Sequence, residues 1–152
     1  MVKEVMQAEL EELIKCKKIV IVDFSATWCG PCKSIAKVLE SKVTPQLEND
    51  DDVALVKLDI DKNKELATAL QVMSVPTMMF FFCGQRIVFQ GENGKQEDRI
   101  VGFDPNIDKM ILGLVDQLKK TPEPAAGGCG CGCTGCGTEG GHDSDPDKGC
   151  GC

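Results

Sequence analysis

Tyrosine is absent from this chain of 152 residues, and tryptophan and histidine occur once each. Positive charge is also scarce: 17 basic side chains stand against 24 acidic ones, for a net charge of −7. That balance argues against broad binding to nucleic acid or to an anionic membrane surface. No apolar run reaches the ~18 residues that would suggest a membrane span. The opening MVKEVMQAELEEL has neither a basic n-region nor an apolar h-region, so no secretory signal is expected. What is present suits one domain plus some extra chain, since a hydrophobic content of 42% is enough to build a core.

Cysteine is plentiful but uneven. Cys16, Cys29, Cys32 and Cys83 are spread over residues 1–120, whereas Cys129, Cys131, Cys133, Cys136, Cys150 and Cys152 crowd the last 24 residues. Ten of the sixteen glycines also follow Pro124. This is not the dispersed framework of a secreted disulfide domain, and the default is a reducing, cytoplasmic setting in which thiols are catalytic or metal-binding. Charge divides similarly, with −3 over residues 1–120 and −4 over residues 121–152.

Hydrophobic periodicity supplies the organisation. Residues 2–5 suggest a short edge strand, and Ala8 to Cys16 a helix with Leu10, Leu13 and Ile14 on one face. Ile19-Val20-Ile21-Val22, within Lys18 to Phe24, suits a strand buried on both faces at the centre of a sheet. Cys32 to about Val43 predicts a helix that Pro45 kinks or ends. After a polar turn at Asn49–Asp52 come a second buried strand, Val53 to Ile60, and a short helix, Lys62 to Leu70. Thr77 to Phe82 and Arg86 to Gln90 predict an antiparallel pair around Cys83-Gly84-Gln85. Gly91 to Glu97 predicts a protruding loop. Asp104 as N-cap and Pro105 at the first helical position open a final helix with the stripe Ile107, Ile111, Leu114 and Leu118. The expected fold class is α/β: a mixed sheet of four to five strands flanked by about four helices. Beyond residue 120 the pattern stops, so residues 121–152 are expected to be a disordered tail behind a 1–120 domain.

The strongest chemical signal is Trp28-Cys29-Gly30-Pro31-Cys32, set between the buried strand IVIVDF and a helix. That context gives Cys-x-x-Cys a redox meaning. A helix start offers free N–H groups and a positive dipole end, both of which favour thiolate over thiol. Cys29, outermost, is the expected attacking thiolate and Cys32 the resolving thiol. Half a zinc site is the competing reading, but Cys16 and Cys83 are single and supply no second pair. Both are expected to be small buried fillers, with regulatory oxidation or dimerisation as the sharper alternative.

The segment Val20 to Lys33, which contains IVDFSATWCGPCK, resembles the thioredoxin family, and further matches extend over most of residues 1–120. The resemblance implies the thioredoxin fold and protein-disulfide reductase activity in cell redox homeostasis. It implies no cofactor in the core beyond a redox-active Cys29–Cys32 disulfide. Disulfide-containing proteins are the implied substrates, an NADPH-dependent thioredoxin reductase the electron donor, and a monomer the working form. It implies a cis-proline at Pro76, within Val75-Pro76-Thr77, facing the dithiol. Asp23 matches the family's buried carboxylate, a proton acceptor for Cys32 through water, and Lys57 the lysine beside it. Trp28, Gly30, Pro31, Val75, Pro76 and Gly102 then form an apolar surface for extended protein segments. Two departures stand out. Residues 91–100 exceed what typical members place before the last helix, so Gly91 competes with Gly102 as the groove glycine; Gly102 is preferred because the helix follows it directly. Lys37 replaces the mid-helix proline of bacterial members, so their kink is expected to be missing.

The tail GGCGCGCTGCGTEGGHDSDPDKGCGC matches metallothionein-type clusters in composition only. Closely spaced thiols separated by glycine can wrap a soft ion such as zinc, cadmium or copper(I). A metal-binding protein acting through Cys129, Cys131, Cys133, Cys136, Cys150 and Cys152 is therefore the alternative function. A flexible thiol arm serving Cys29 and Cys32, or a plain spacer, are the other readings of the tail. His142 alone reads as a solvated tail residue.

Overall fold

The computed structural model describes residues 2–91 and 93–122. Its centre is β2 (Ile19–Ser25), where all seven residues are buried. β-branched residues on a strand covered from both sides account for this run. β2 pairs in parallel with β3 (Val53–Asp59) and antiparallel with β4 (Thr77–Phe82). Outside β3 lies the two-residue edge strand β1 (Lys3–Glu4), as the sequence predicts. Because β1 is so short, β3 is only partly buried, with Ala54, Leu55 and Lys57 half-exposed.

The outer edge of β4 is shared. β5 (Gln85–Arg86) pairs with Phe81 and Phe82, and β8 (Arg99–Val101) pairs with Thr77 to Met79. The sheet therefore has six strands, β1-β3-β2-β4-β5 with β8 also on β4. The β4–β5 turn is Cys83-Gly84, both at positive φ (50° and 80°), the geometry of a tight two-residue hairpin. The expected strand Arg86 to Gln90 breaks up after Arg86. Instead β6 (Phe89–Gln90) turns onto β7 (Gln96–Glu97), so the expected loop is a second small hairpin. Phe89 anchors it edge-on against Phe80, with ring centroids 5.8 Å apart.

Alternate residues of β2 feed opposite faces. Ile19 and Ile21 pack with Ile35 and Leu39 of the helical stretch that follows β2 and with Ile107, Ile111 and Val115 of α5 (Ile107–Lys120). Val20, Val22 and Phe24 pack with Leu10 of α1 (Gln7–Cys16) and, more peripherally, with Leu66 of α4 (Lys64–Ala69). Each fully buried large side chain contributes about 1.5–3 kcal/mol relative to exposure.

Three helical details depart from expectation. α2 (Gly30–Val38) does not end at Pro45 but widens into a π turn over Leu39–Val43 and continues as α3 (Thr44–Leu47). The extra residue in the turn lets Thr44 N–H reach the Leu39 carbonyl and places Pro45 in a fresh first turn, where its missing N–H costs nothing. The break in α geometry thus falls after Lys37 rather than at it. α5 starts at Ile107, not at Pro105: Asp104 Oδ1 accepts the Asn106 N–H at 2.7 Å and caps a preceding turn. Its buried stripe is Ile107, Ile111, Val115 and Leu118, with Leu114 only partly covered.

Candidate active site

The dithiol sits where β2 delivers the chain to α2. Cys29 occupies the N-cap position with extended backbone, and Pro31 lies in the first turn. Its Sγ accepts the Cys32 N–H at 3.2 Å. An otherwise unpartnered helix-start donor therefore points at sulfur, as the motif requires. Cys29 and Cys32 are joined as a disulfide, with Cα atoms 5.3 Å apart. Both residues are buried, 4% and 3% exposed, so in this form Cys29 is not the outer one by accessibility. The two differ in place: Cys29 stands before the helix and Cys32 within its first turn.

Three separate segments converge on the pair. Ala26, Cys29 and Cys32 form a small buried cluster, flanked by Ile60 after β3 and Val75 before β4. The Val75–Pro76 peptide is cis. Gly102, at φ 89°, donates its N–H to the Pro76 carbonyl at 2.9 Å. Gly91 lies elsewhere, donating to the Lys95 carbonyl inside the β6–β7 hairpin, so Gly102 is the glycine that abuts Pro76. Gly30 and Pro31 are exposed at the helix start.

Asp23 extends the Ile19–Ile21 row of β2 towards α2 and is completely buried. It lies within the strand, because Phe24 and Ser25 continue the pairing. Neither carboxylate oxygen has a hydrogen-bond partner among the described residues. Desolvation pushes its pKa up to about 7, partly opposed by the positive charge of Lys57. Lys57 is its register partner on β3. Both residues line a cavity of about 590 Å³ together with Ala36, Leu39 and Glu40.

Trp28 is 69% exposed, so its ring is not a packing element of the core. Its indole N–H donates to Asp61 Oδ2 at 2.9 Å, and Asp61 is itself fixed by its own N–H on Asp59 Oδ1 at 2.8 Å. No sequence spacing links Asp61 to Trp28, which lies 33 residues away. The available signal was an acidic residue in the turn directly after β3. Cys83 is buried in the larger core cluster but is disulfide-bonded, so it is not the plain filler thiol expected, whereas Cys16 is half-buried at the end of α1.

The six tail cysteines lie outside the described residues. Among the described residues, no group of three or more potential metal-ligating side chains is gathered, and no helix is long and apolar enough to cross a membrane.

Residues 1–103 match the family model described as Thioredoxin. The thioredoxin of Mycobacterium tuberculosis is 47% identical over 87 residues, covering 55% of this chain and 71% of that protein. The bifunctional thioredoxin reductase/thioredoxin of Mycobacterium leprae is 46% identical over 87 residues, covering 55% of this chain and 18% of that protein. The crystal structure of a chloroplastic thioredoxin z matches with a TM-score of 0.61 at 30% identity, covering 79% of this chain and 96% of that one.

Proposed function

The chain belongs to the thioredoxin family and is a thiol-disulfide oxidoreductase; from that premise we propose how its residues divide the work. The observation that carries the proposal is the Cys29–Cys32 pair at the start of α2, with the Cys32 N–H on Cys29 Sγ. In the reduced protein, Cys29 thiolate attacks a target disulfide, forms a mixed disulfide and expels one target thiolate. Cys32 then loses its proton and attacks the Cys29 sulfur, breaking the mixed disulfide and expelling the second target thiolate. Two electrons have passed to the target, and Cys29–Cys32 is left oxidised.

Asp23 is the proton acceptor for Cys32, reached through water, because its raised pKa of about 7 matches proton exchange near neutrality. Lys57 moderates that carboxylate's charge. Trp28, Gly30, Pro31, Val75, Pro76 and Gly102 form the docking surface for an extended target segment. A thioredoxin reductase using NADPH returns the electrons, a pairing made within one chain in the Mycobacterium leprae relative. A reducing, cytoplasmic setting follows from that role.

Insulin-disulfide reduction tests the assignment. Wild type reduces insulin and Cys29→Ser does not; undiminished activity in Cys29→Ser rejects it. A chain truncated after Lys120 separates the domain from the tail. Undiminished activity supports residues 1–120 as the catalytic unit, and slowed reduction supports the electron-arm reading instead. Metal content of the two forms from cells grown with zinc or copper, read by mass spectrometry, tests a soft-metal role for the six tail cysteines.

A further inference from the structure

Arg99 lies on β8, three residues before Gly102, and its side chain is 19% exposed. Nε and Nη2 donate to the two carboxylate oxygens of Asp98, at 2.9 and 3.1 Å. Nη1 donates to the carbonyls of Leu70 and Gln71, at 2.9 and 3.0 Å. Leu70 is the C-cap of α4 and Gln71 the residue after it, and carbonyls at a helix end lack intrahelical donors. A planar guanidinium serves such acceptors and a carboxylate together, which an ammonium cannot do with the same fixed geometry. Gln71 has a left-handed φ of 55°, so the chain reverses there and runs through Val72 to Ser74 into Val75–Pro76.

β8 and the residue that follows it therefore grip this connection at both ends. Arg99 holds its root at Leu70 and Gln71, and Gly102 N–H holds its tip at the Pro76 carbonyl. Thr77 Oγ1 on the Ser74 carbonyl, at 2.7 Å, tightens the turn between them.

We propose that Arg99 is a positioning residue for target docking: by tying the root of the Val72–Val75 connection to β8, it fixes Val75–Pro76 against Gly102 before a target arrives. This rests on the docking surface proposed above. Arg99 touches neither the dithiol nor the target. It acts by removing an ordering cost that docking would otherwise carry.

The test follows single-turnover reduction of insulin, at varied insulin concentration, by the pre-reduced full chain. An aromatic small-molecule disulfide, which needs no groove, is run beside it. Arg99→Ala raises the half-saturating insulin concentration about five- to tenfold, while the limiting rate and the small-disulfide rate stay within about twofold. Arg99→Lys, which regains one carbonyl contact, falls between. Amides of residues 72–75 exchange faster in Arg99→Ala, while those of β2 and β3 keep their protection. Unchanged half-saturation overturns the proposal. So does a parallel loss of limiting rate, small-disulfide rate and sheet protection, which marks a merely structural role. If Arg99→Ala does not fold, Arg99→Lys carries the same comparison with the same two overturning results. Val75→Asp separates the premises: it weakens insulin reduction if the docking surface is right, and a Val75→Asp protein with unchanged half-saturation rejects that surface itself.

Discussion

Asp23 and Lys57 are partners across the parallel β2–β3 pair, yet neither Asp23 oxygen receives a hydrogen bond among the described residues. The carboxyl is completely buried, and desolvation raises its pKa from 3.8 to about 7. Between those values the folded protein holds a proton that the unfolded chain has released. Stability contributed by this group therefore falls as pH rises from 3.8 and is lowest above about 7. Asp23→Asn removes the penalty. Urea unfolding at pH 8 should find the variant more stable by roughly 2–4 kcal/mol, with the difference vanishing near pH 4. Activity should move the other way, because the variant has no acceptor for the Cys32 proton: its pH–rate profile lacks the inflection near 7. An equal stability gap at both pH values would contradict this account.

Trp28, exposed and next to Cys29 in the chain, is held by Asp61 rather than by packing. Asp61→Ala frees the indole without touching sulfur. Target docking should slow about three- to tenfold, equivalent to about 1 kcal/mol for an exposed hydrogen bond to a charged acceptor. Because Trp28 is the chain's single tryptophan, its fluorescence reports the change directly. An emission spectrum and insulin rate identical to wild type would show that the bond does not position the ring.

The α5 stripe makes a sharp contrast between neighbouring positions. Ile111 is completely buried, whereas Leu114 is only partly covered. Ile111→Ala should cost about 2–5 kcal/mol in urea unfolding, and Leu114→Ala less than about half as much. Equal losses would place the stripe where the sequence spacing first suggested, through Leu114.

The core of the fold was legible because local rules and tertiary burial agree there. Ile19 to Val22 are β-branched and central, and α1 and α2 follow their apolar spacing. The dithiol was legible because its chemistry is local, with strand, motif and helix contiguous from Ile19 to Val38. Sequence pattern and structure part where one residue has two physically reasonable uses. Asp104 can cap a helix or a turn, and takes the turn. Pro45 can end a helix or open a new one after a π turn, and does the latter. Phe89 can extend the β4 hairpin or leave it to pack on Phe80. Asp61 and Arg99 were invisible for another reason: their partners lie about 30 residues away, and no spacing rule spans that distance.

Trapping the reaction halfway tests the division of labour between Cys29 and Cys32 most directly. Cys32→Ser, reduced and then mixed with a protein disulfide, should accumulate a covalent adduct in which mass spectrometry finds Cys29 bonded to a target cysteine. Cys29→Ser should accumulate none. An adduct formed by Cys29→Ser and absent from Cys32→Ser would reverse the assignment and contradict the mechanism built on the α2 N-terminus.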